Sequence, residues 1–244
     1  LGKEVRMALQ QEGAELVVGR RKVEAALPTR LWKVTIGFCR KKPLGAFGAV
    51  IILAMVAAAA LAPVIAADPM AWNLTDAFQG SSARHLLGTN DVGQDLWSQI
   101  VYGARISLYV GFMSVALGSG VGAFFGLISA YYGGKMDILV QRVMDAMMAI
   151  PQLVLALAIM AALGGSVNNV VIAVGITQIP RANRIVRSQA LSVKQSEYVM
   201  AAHAIGAKDG RIMVFHVLPG CVAPWLIVAS AGLGAAIIAE ASVS

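Results

Sequence analysis

The chain has 244 residues, of which 58% are hydrophobic and 14% charged, with a mean hydropathy of +0.71. A soluble domain of this size carries about 25% charged residues, so an ordinary cytosolic enzyme and a disordered chain are both excluded. The formal charge of +7 is unevenly placed: ten of the 20 basic residues precede Pro43, and six more lie between Arg181 and Arg211. Basic segments beside apolar runs are a positive-inside signal and fit a membrane protein better than a nucleic-acid surface.

Four stretches lack Asp, Glu, Lys and Arg altogether: residues 43–67, 106–134, 146–180 and 212–239. Each supplies the roughly 20 residues that a helix needs to cross about 30 Å of hydrocarbon. Residues 1–42 come first, a basic tail with short apolar patches that is expected in the cytosol, touching lipid headgroups. It does not read as a cleavable signal peptide, because the first apolar run starts late and is longer than a signal core.

The first span is expected over 43–67, from the cytosol outward, after Arg40-Lys41-Lys42 and before Asp68. Residues 68–105 then form an external loop with four acids. A second span returns from Ile106 to about Ala130, rich in glycine that permits close helix contact. Tyr131 and Tyr132 are placed like interfacial aromatics, and Gly133-Gly134 makes a turn. A third helix is expected over 137–163, kinked at Pro151. The Gly164–Asn169 segment breaks the long apolar stretch, and a fourth span runs over 167–186. Arg181, Arg184 and Arg187 recur at its cytosolic end, where long cationic side chains can snorkel.

Residues 188–211 are read as a cytosolic connection, and the last span as 212–239. Within the connection, a short amphipathic helix over 197–205 precedes Gly206, which suits the positive φ of a helix end. Asp209 complements the dipole at the start of the next helix, and Pro219 is expected to bend it. Asp145 and Glu240 are ionisable groups at membrane depth and invite a role in the pathway or in intramembrane pairing. Asp145 is expected to pair with Arg142 or with the Arg181–Arg187 row, and Glu240 to lie near an external gate. His85, Asp91 and Asp95 match no strong metal-ligand spacing and read as organisers of the external loop. Cys39 and Cys221 lie too far apart in sequence to suggest a disulfide framework or a metal knuckle.

The pattern Ala201-Ala202, three residues, Gly206, then Leu218-Pro219 resembles the EAA loop of ABC importer permeases. Met200 occupies the place of the triplet's acid, with Glu197 one turn earlier. His85 to Gly111, HLLGTNDVGQDLWSQIVYGARISLYVG, resembles the signature before the second span in the dipeptide/oligopeptide/nickel branch; Gln94 stands where that branch usually has Arg. Asp145 with Ala149-Ile150-Pro151, and Ile238-Ala239-Glu240-Ala241-Ser242, are two further echoes. Together they resemble the C-type, or second, permease subunit.

The resemblance implies an all-α polytopic transmembrane bundle of the binding-protein-dependent ABC permease type, with about five spans of an expected six. It would sit multi-pass in a bacterial-type inner membrane and form half of a translocation pathway for di- or oligopeptides. The chain has no GxxxxGK[ST] phosphate loop and no catalytic or metal site is assigned to it. ATP and Mg would be bound by two partner ATPase subunits, alongside a homologous permease subunit, an extracytoplasmic solute-binding protein and lipid. Glu197, Ala201, Ala202, His203, Gly206, Asp209, Leu218 and Pro219 would couple to the ATPase. His85, Gly88, Thr89, Asp91, Gly93 and Asp95 would shape the external loop. The family pattern continues into another span, so the chain is expected to be a part of such a permease. The rival reading is an autonomous secondary transporter or channel subunit, which needs more intramembrane acids than Asp145 and Glu240.

Overall fold

A computed structural model describes residues 43–243. The tail over 1–42 lies outside the described residues. The chain divides after Ala57 into two units; of the first, the described part is the leading portion of α1 (Pro43–Ile65). That helix is apolar around its whole circumference and about 35 Å long, as the sequence led one to expect.

The second unit is helical, with one isolated bridge between Thr89 and Asp95. Its helices are α2 (Leu96–Tyr132), α3 (Gly134–Met148), α4 (Gln152–Leu163), α5 (Val167–Lys194), α6 (Glu197–Ala204) and α7 (Asp209–Val243). α2 begins ten residues earlier than the charge-free stretch suggested, so residues 96–105 are helix and not external loop. Asp95 is the cause: its carboxylate accepts the Ser98 N–H at 2.8 Å and caps the first turn. At about 55 Å, α2 is longer than a bilayer core is thick.

The fold is a seam between α2 and α5, which run parallel. Tyr109 meets Asn168, Ser114 meets Val171, and Lys194 reaches the Tyr131 carbonyl. Gly118, Gly122 and Gly126, spaced four apart, all face α5. A Cβ at Gly126 would stand 2.6 Å from the Asn183 carbonyl oxygen, and those at Gly118 and Gly122 would run still closer into the Gly175 and Ile179 oxygens. The helices therefore touch backbone to backbone, as small residues allow in membranes.

α7 packs antiparallel to α2, with Ser107 bonded to Glu240, Gly111 beside Ile237 and the Trp225 indole N–H donating to the Ser119 carbonyl. It is continuous through a π-helical turn, Met213–Val217. The helix runs unbroken through Pro219, where a bend was expected. Pro219 lacks the N–H that an α-helical turn would aim at the Phe215 carbonyl, and it falls directly after the widened turn. A second proline, Pro224, lies inside the same helix.

The helix expected over 137–163 is not kinked but broken: α3 and α4 meet at 92°. Pro151 is extended, with φ −53° and ψ 134°, because a proline donates no hydrogen bond and disfavours helix in the residue before it. The two pieces nonetheless follow α5 in reverse. Asp137 meets Arg187, Gln141 meets Asn183, Gln152 meets Thr177 and Met160 packs in the cluster of Val170 and Val174.

Among the described residues three helices, α1, α2 and α7, are long and apolar enough to cross a membrane, and there are four if the bent pair counts as one span. The span expected fourth in the chain, α5, has the length but not the apolarity. Its polar side chains are accommodated by protein: Asn183 is fully buried, and Arg187 is held by Asp137. α5 also continues to Lys194, eight residues past its expected end, so the connection starts later than residue 188. Tyr131 is 4% exposed and packs in the core, which overturns its interfacial assignment; Tyr132 is exposed.

Candidate functional site

The end of the bundle that carries Arg181 to Arg211 presents α6. Its C-terminus closes through two backbone bonds, Gly206 N–H to His203 O at 3.0 Å and Ala207 N–H to Ala202 O at 3.1 Å. This is a Schellman closure, and it places Gly206 at φ +81°. The sequence assigned that conformation correctly, and the helix ends at Ala204, one residue from its expected end.

One face of α6 is committed to the bundle. Val199 and Ala202 are buried with Leu127, Tyr131, Val186 and Ile212. The opposite face is open: Glu197, Ala201 and His203 are exposed, as are the large apolar side chains of Tyr198, Met200 and Ile205, the last at 85%. Ala202 is therefore a packing residue, which separates it from the others expected to make the contact. Leu218 and Pro219 sit on α7, where Leu218 borders an apolar groove with Phe124 and Trp225. Asp209 opens α7 as expected and accepts the Tyr131 hydroxyl at 2.9 Å. That bond, and the one from the Tyr198 hydroxyl to the His216 carbonyl at 3.3 Å, hold α6 and the α7 start on the bundle. Neither was legible beforehand, since each joins residues remote in sequence.

Ion pairs fasten α3 to α5 close by. Arg187 grips Asp137 through two nitrogens at 2.7 and 2.6 Å, a bidentate geometry. Asp145 pairs with Arg184 at 2.6 Å, both about half exposed; Arg184, and not Arg142, is its partner.

At the opposite end, residues 73–95 form a hydrogen-bonded loop. The Thr89 hydroxyl donates to the Asp76 carbonyl and accepts the Gln79 N–H. Asn90 accepts the N–H groups of Val92 and Gln94, and its side-chain amide donates to Gln94 at 2.9 Å. Gly93 sits against the Asn73 carbonyl and Gly88 against that of Gln79, both at positive φ where a side chain would not fit. Asp95 faces His85 Nδ1 at 3.2 Å and accepts the Ser98 hydroxyl and N–H. Burial opposes ionisation of Asp95, but the two bonds from Ser98 and the His85 contact outweigh it and hold its pKa below 3.8. Asp91 is exposed at the turn. A cavity of about 450 Å³ opens beside this loop, bordered by Asp68, Trp72, Arg84, His85 and Trp97. Among the described residues, no three His, Cys, Asp or Glu side chains converge as metal ligands.

Glu240 lies near the end of α7, 8% exposed, and its Oε2 accepts the Ser107 hydroxyl at 3.0 Å.

A bundle of apolar helices around a glycine seam, with a small helix held outward at its basic end, defines a multi-pass membrane permease. The chain matches the family described as binding-protein-dependent transport system inner membrane component over residues 122–244, and it belongs to that family. It is similar to the dipeptide transport system permease protein DppC of Alkalihalophilus pseudofirmus, 41% identical over 212 residues, covering 86% of this chain and 70% of the relative. It is also similar to the Haemophilus influenzae DppC, at 36% over 198 residues, 78% of this chain and 67% of that one. The glutathione transport system permease protein GsiD of Pectobacterium atrosepticum matches at 40% over 166 residues, 68% of this chain and 55% of the relative. The chain is an inner-membrane permease subunit of an ABC importer, of the C-type group that its sequence motifs resemble.

Proposed function

We propose that this permease carries peptides, and that α6 is the element through which ATP hydrolysis elsewhere moves it. The cargo assignment is supported by relatives named for dipeptide and glutathione transport. The coupling assignment rests on one observation: a helix packed through Val199 and Ala202 that leaves Tyr198, Met200 and Ile205 outward at the basic end. Exposed aromatic and Met side chains on a rigid helix suit a docking surface. With Met200 in place of an acid, that surface is more apolar, and Glu197 and His203 supply its polar edge. The basic end faces the cytosol, where two ATPase subunits bind ATP and Mg. A homologous permease completes the pathway, and a solute-binding protein meets the loop held by Thr89, Asn90 and Asp95.

Gly206 sets the direction of α6 relative to α7, so its backbone is the place to test coupling. Gly206→Val puts a β-branched residue at positive φ, at a cost of about 1–3 kcal/mol, while Gly206→Asn tolerates it. In membranes containing the assembled transporter, the valine variant is expected to insert normally yet lose substrate-stimulated ATPase activity. The asparagine variant is expected to retain most of it. Equal stimulation in wild type and Gly206→Val, at equal expression, would refute the coupling role.

A further inference from the structure

Glu240 is a buried carboxylate in an apolar helix, yet among the described residues no Lys, Arg or His forms an ion pair with it. Its one hydrogen-bond donor there is the Ser107 hydroxyl, to Oε2; Oε1 takes none. An unpaired charge inside a membrane protein is costly and calls for a cation from somewhere. The carboxylate borders a cavity of about 350 Å³, whose other walls include Ile106 and Val110 of α2, Met160 of α4, and Val167 and Val170 of α5. A small, mostly apolar cavity with one convergent charge is the usual form of a small-molecule site.

The chemistry is selective. A carboxylate recognises a cation, and the branched aliphatic walls recognise an apolar body attached to it. The start of α5 opens on the same cavity, and the first-turn N–H groups of a helix are free to donate. Among the described residues Val167 N–H makes no bond, so a carbonyl oxygen one atom beyond a Cα–N⁺ group has a donor to meet. A hydrated metal ion would waste the apolar walls, and an anion would be repelled by Glu240. A lysine side chain entering from a neighbouring subunit would satisfy the charge but would leave most of the volume empty.

We propose that this cavity binds a primary ammonium group carried on an apolar residue, with Glu240 as its counter-ion, and that in the importer this group is the free amino terminus of the peptide. The second half rests on the peptide reading above; the first does not. Glu240 is then the residue through which the permease itself distinguishes free from blocked amino termini.

The test is protection from a hydrophobic carbodiimide in the assembled transporter without binding protein, with adduct at Glu240 quantified by mass spectrometry. The probes are phenylalanyl-alanine, its N-acetyl form, n-butylammonium and n-butanol. The free dipeptide and butylammonium are expected to protect Glu240, and the acetylated dipeptide and butanol are not. Equal protection by the acetylated and free dipeptides would overturn ammonium recognition. So would no protection by either amine, which would leave Glu240 a structural partner of Ser107 or of a neighbouring subunit. If the transporter imports no dipeptide at all while butylammonium still protects, the peptide reading fails and the ammonium site stands. A Glu240→Gln variant gives the transport readout: its KM for free dipeptide is expected to rise about tenfold or more, with the preference over the acetylated form lost. An unchanged preference in that variant would also overturn the proposal.

Discussion

Gly120 and Gly122 differ by two positions on one helix, and the same substitution is expected to act on them with opposite sign. A Cβ at Gly120 meets nothing within 4 Å, whereas one at Gly122 collides with the Ile179 carbonyl oxygen and lies 2.8 Å from the Ala182 Cβ. Alanine gains about 1 kcal/mol over glycine in a helix interior. At Gly120 that gain is unopposed. At Gly122 the obstacle is backbone, which cannot rotate aside, so overpacking costs about 1–3 kcal/mol. The net effects are about 1 kcal/mol stabilising for Gly120→Ala and about 0–2 kcal/mol destabilising for Gly122→Ala. The assay is thermal unfolding of the purified protein in one detergent, followed by loss of the monodisperse species. A midpoint for Gly122→Ala equal to or above that of Gly120→Ala would refute the backbone-contact seam.

Three further outcomes follow from the contacts. Arg187→Ala is expected to destabilise by about 1.5–3 kcal/mol, since it strips two charged bonds from partly buried Asp137, while Arg184→Ala, at a half-exposed pair, costs about 0–1 kcal/mol; thermal unfolding of both variants checks the order. Asp95 has its carboxyl pKa lowered below 3.8 in the fold, so it contributes stability that is complete above that value and lost as pH falls through the lowered one. Trp97 fluorescence, read in a background where Trp32, Trp72 and Trp225 are replaced by Phe, is expected to report loosening of the α2 start under acid with Asp95 present and none with Asp95→Asn. Asp95→Asn keeps a side-chain cap, whereas Asp95→Ala loses one worth about 1 kcal/mol, visible as a lower unfolding midpoint at neutral pH.

Much of the fold was legible because apolar length and helix-ending chemistry are local. α1, the Gly206 closure and the Asp209 helix start all follow from residues within a turn of one another. The α2 start was missed because charge marked residues 91–105 as loop, while the cap formed by Asp95 and Ser98 was the stronger local signal. Pro151 announced a disturbance, but the size of the bend depends on how α3 and α4 pack along α5, which no local rule contains. The π-helical turn at Met213–Val217 likewise has no composition of its own. The glycines of α2 looked alike in sequence; only the position of α5 separates Gly118, Gly122 and Gly126 from Gly103 and Gly120. At the candidate sites, the exposed face of α6 does not follow from an amphipathic period, because Tyr198 and Met200 lie on it, and the partners of Asp145 and Glu240 lie 39 and 133 residues away.

The central claim is that this permease moves cargo on energy supplied as ATP by partner subunits and received at α6. The direct measurement is uptake of a labelled dipeptide by proteoliposomes holding the assembled transporter and its binding protein, with ATP or a proton gradient as the energy source. Uptake is expected with ATP alone, and lost in Gly206→Val at equal protein content. Uptake driven by the proton gradient without ATP, or undiminished in the valine variant, would contradict the account.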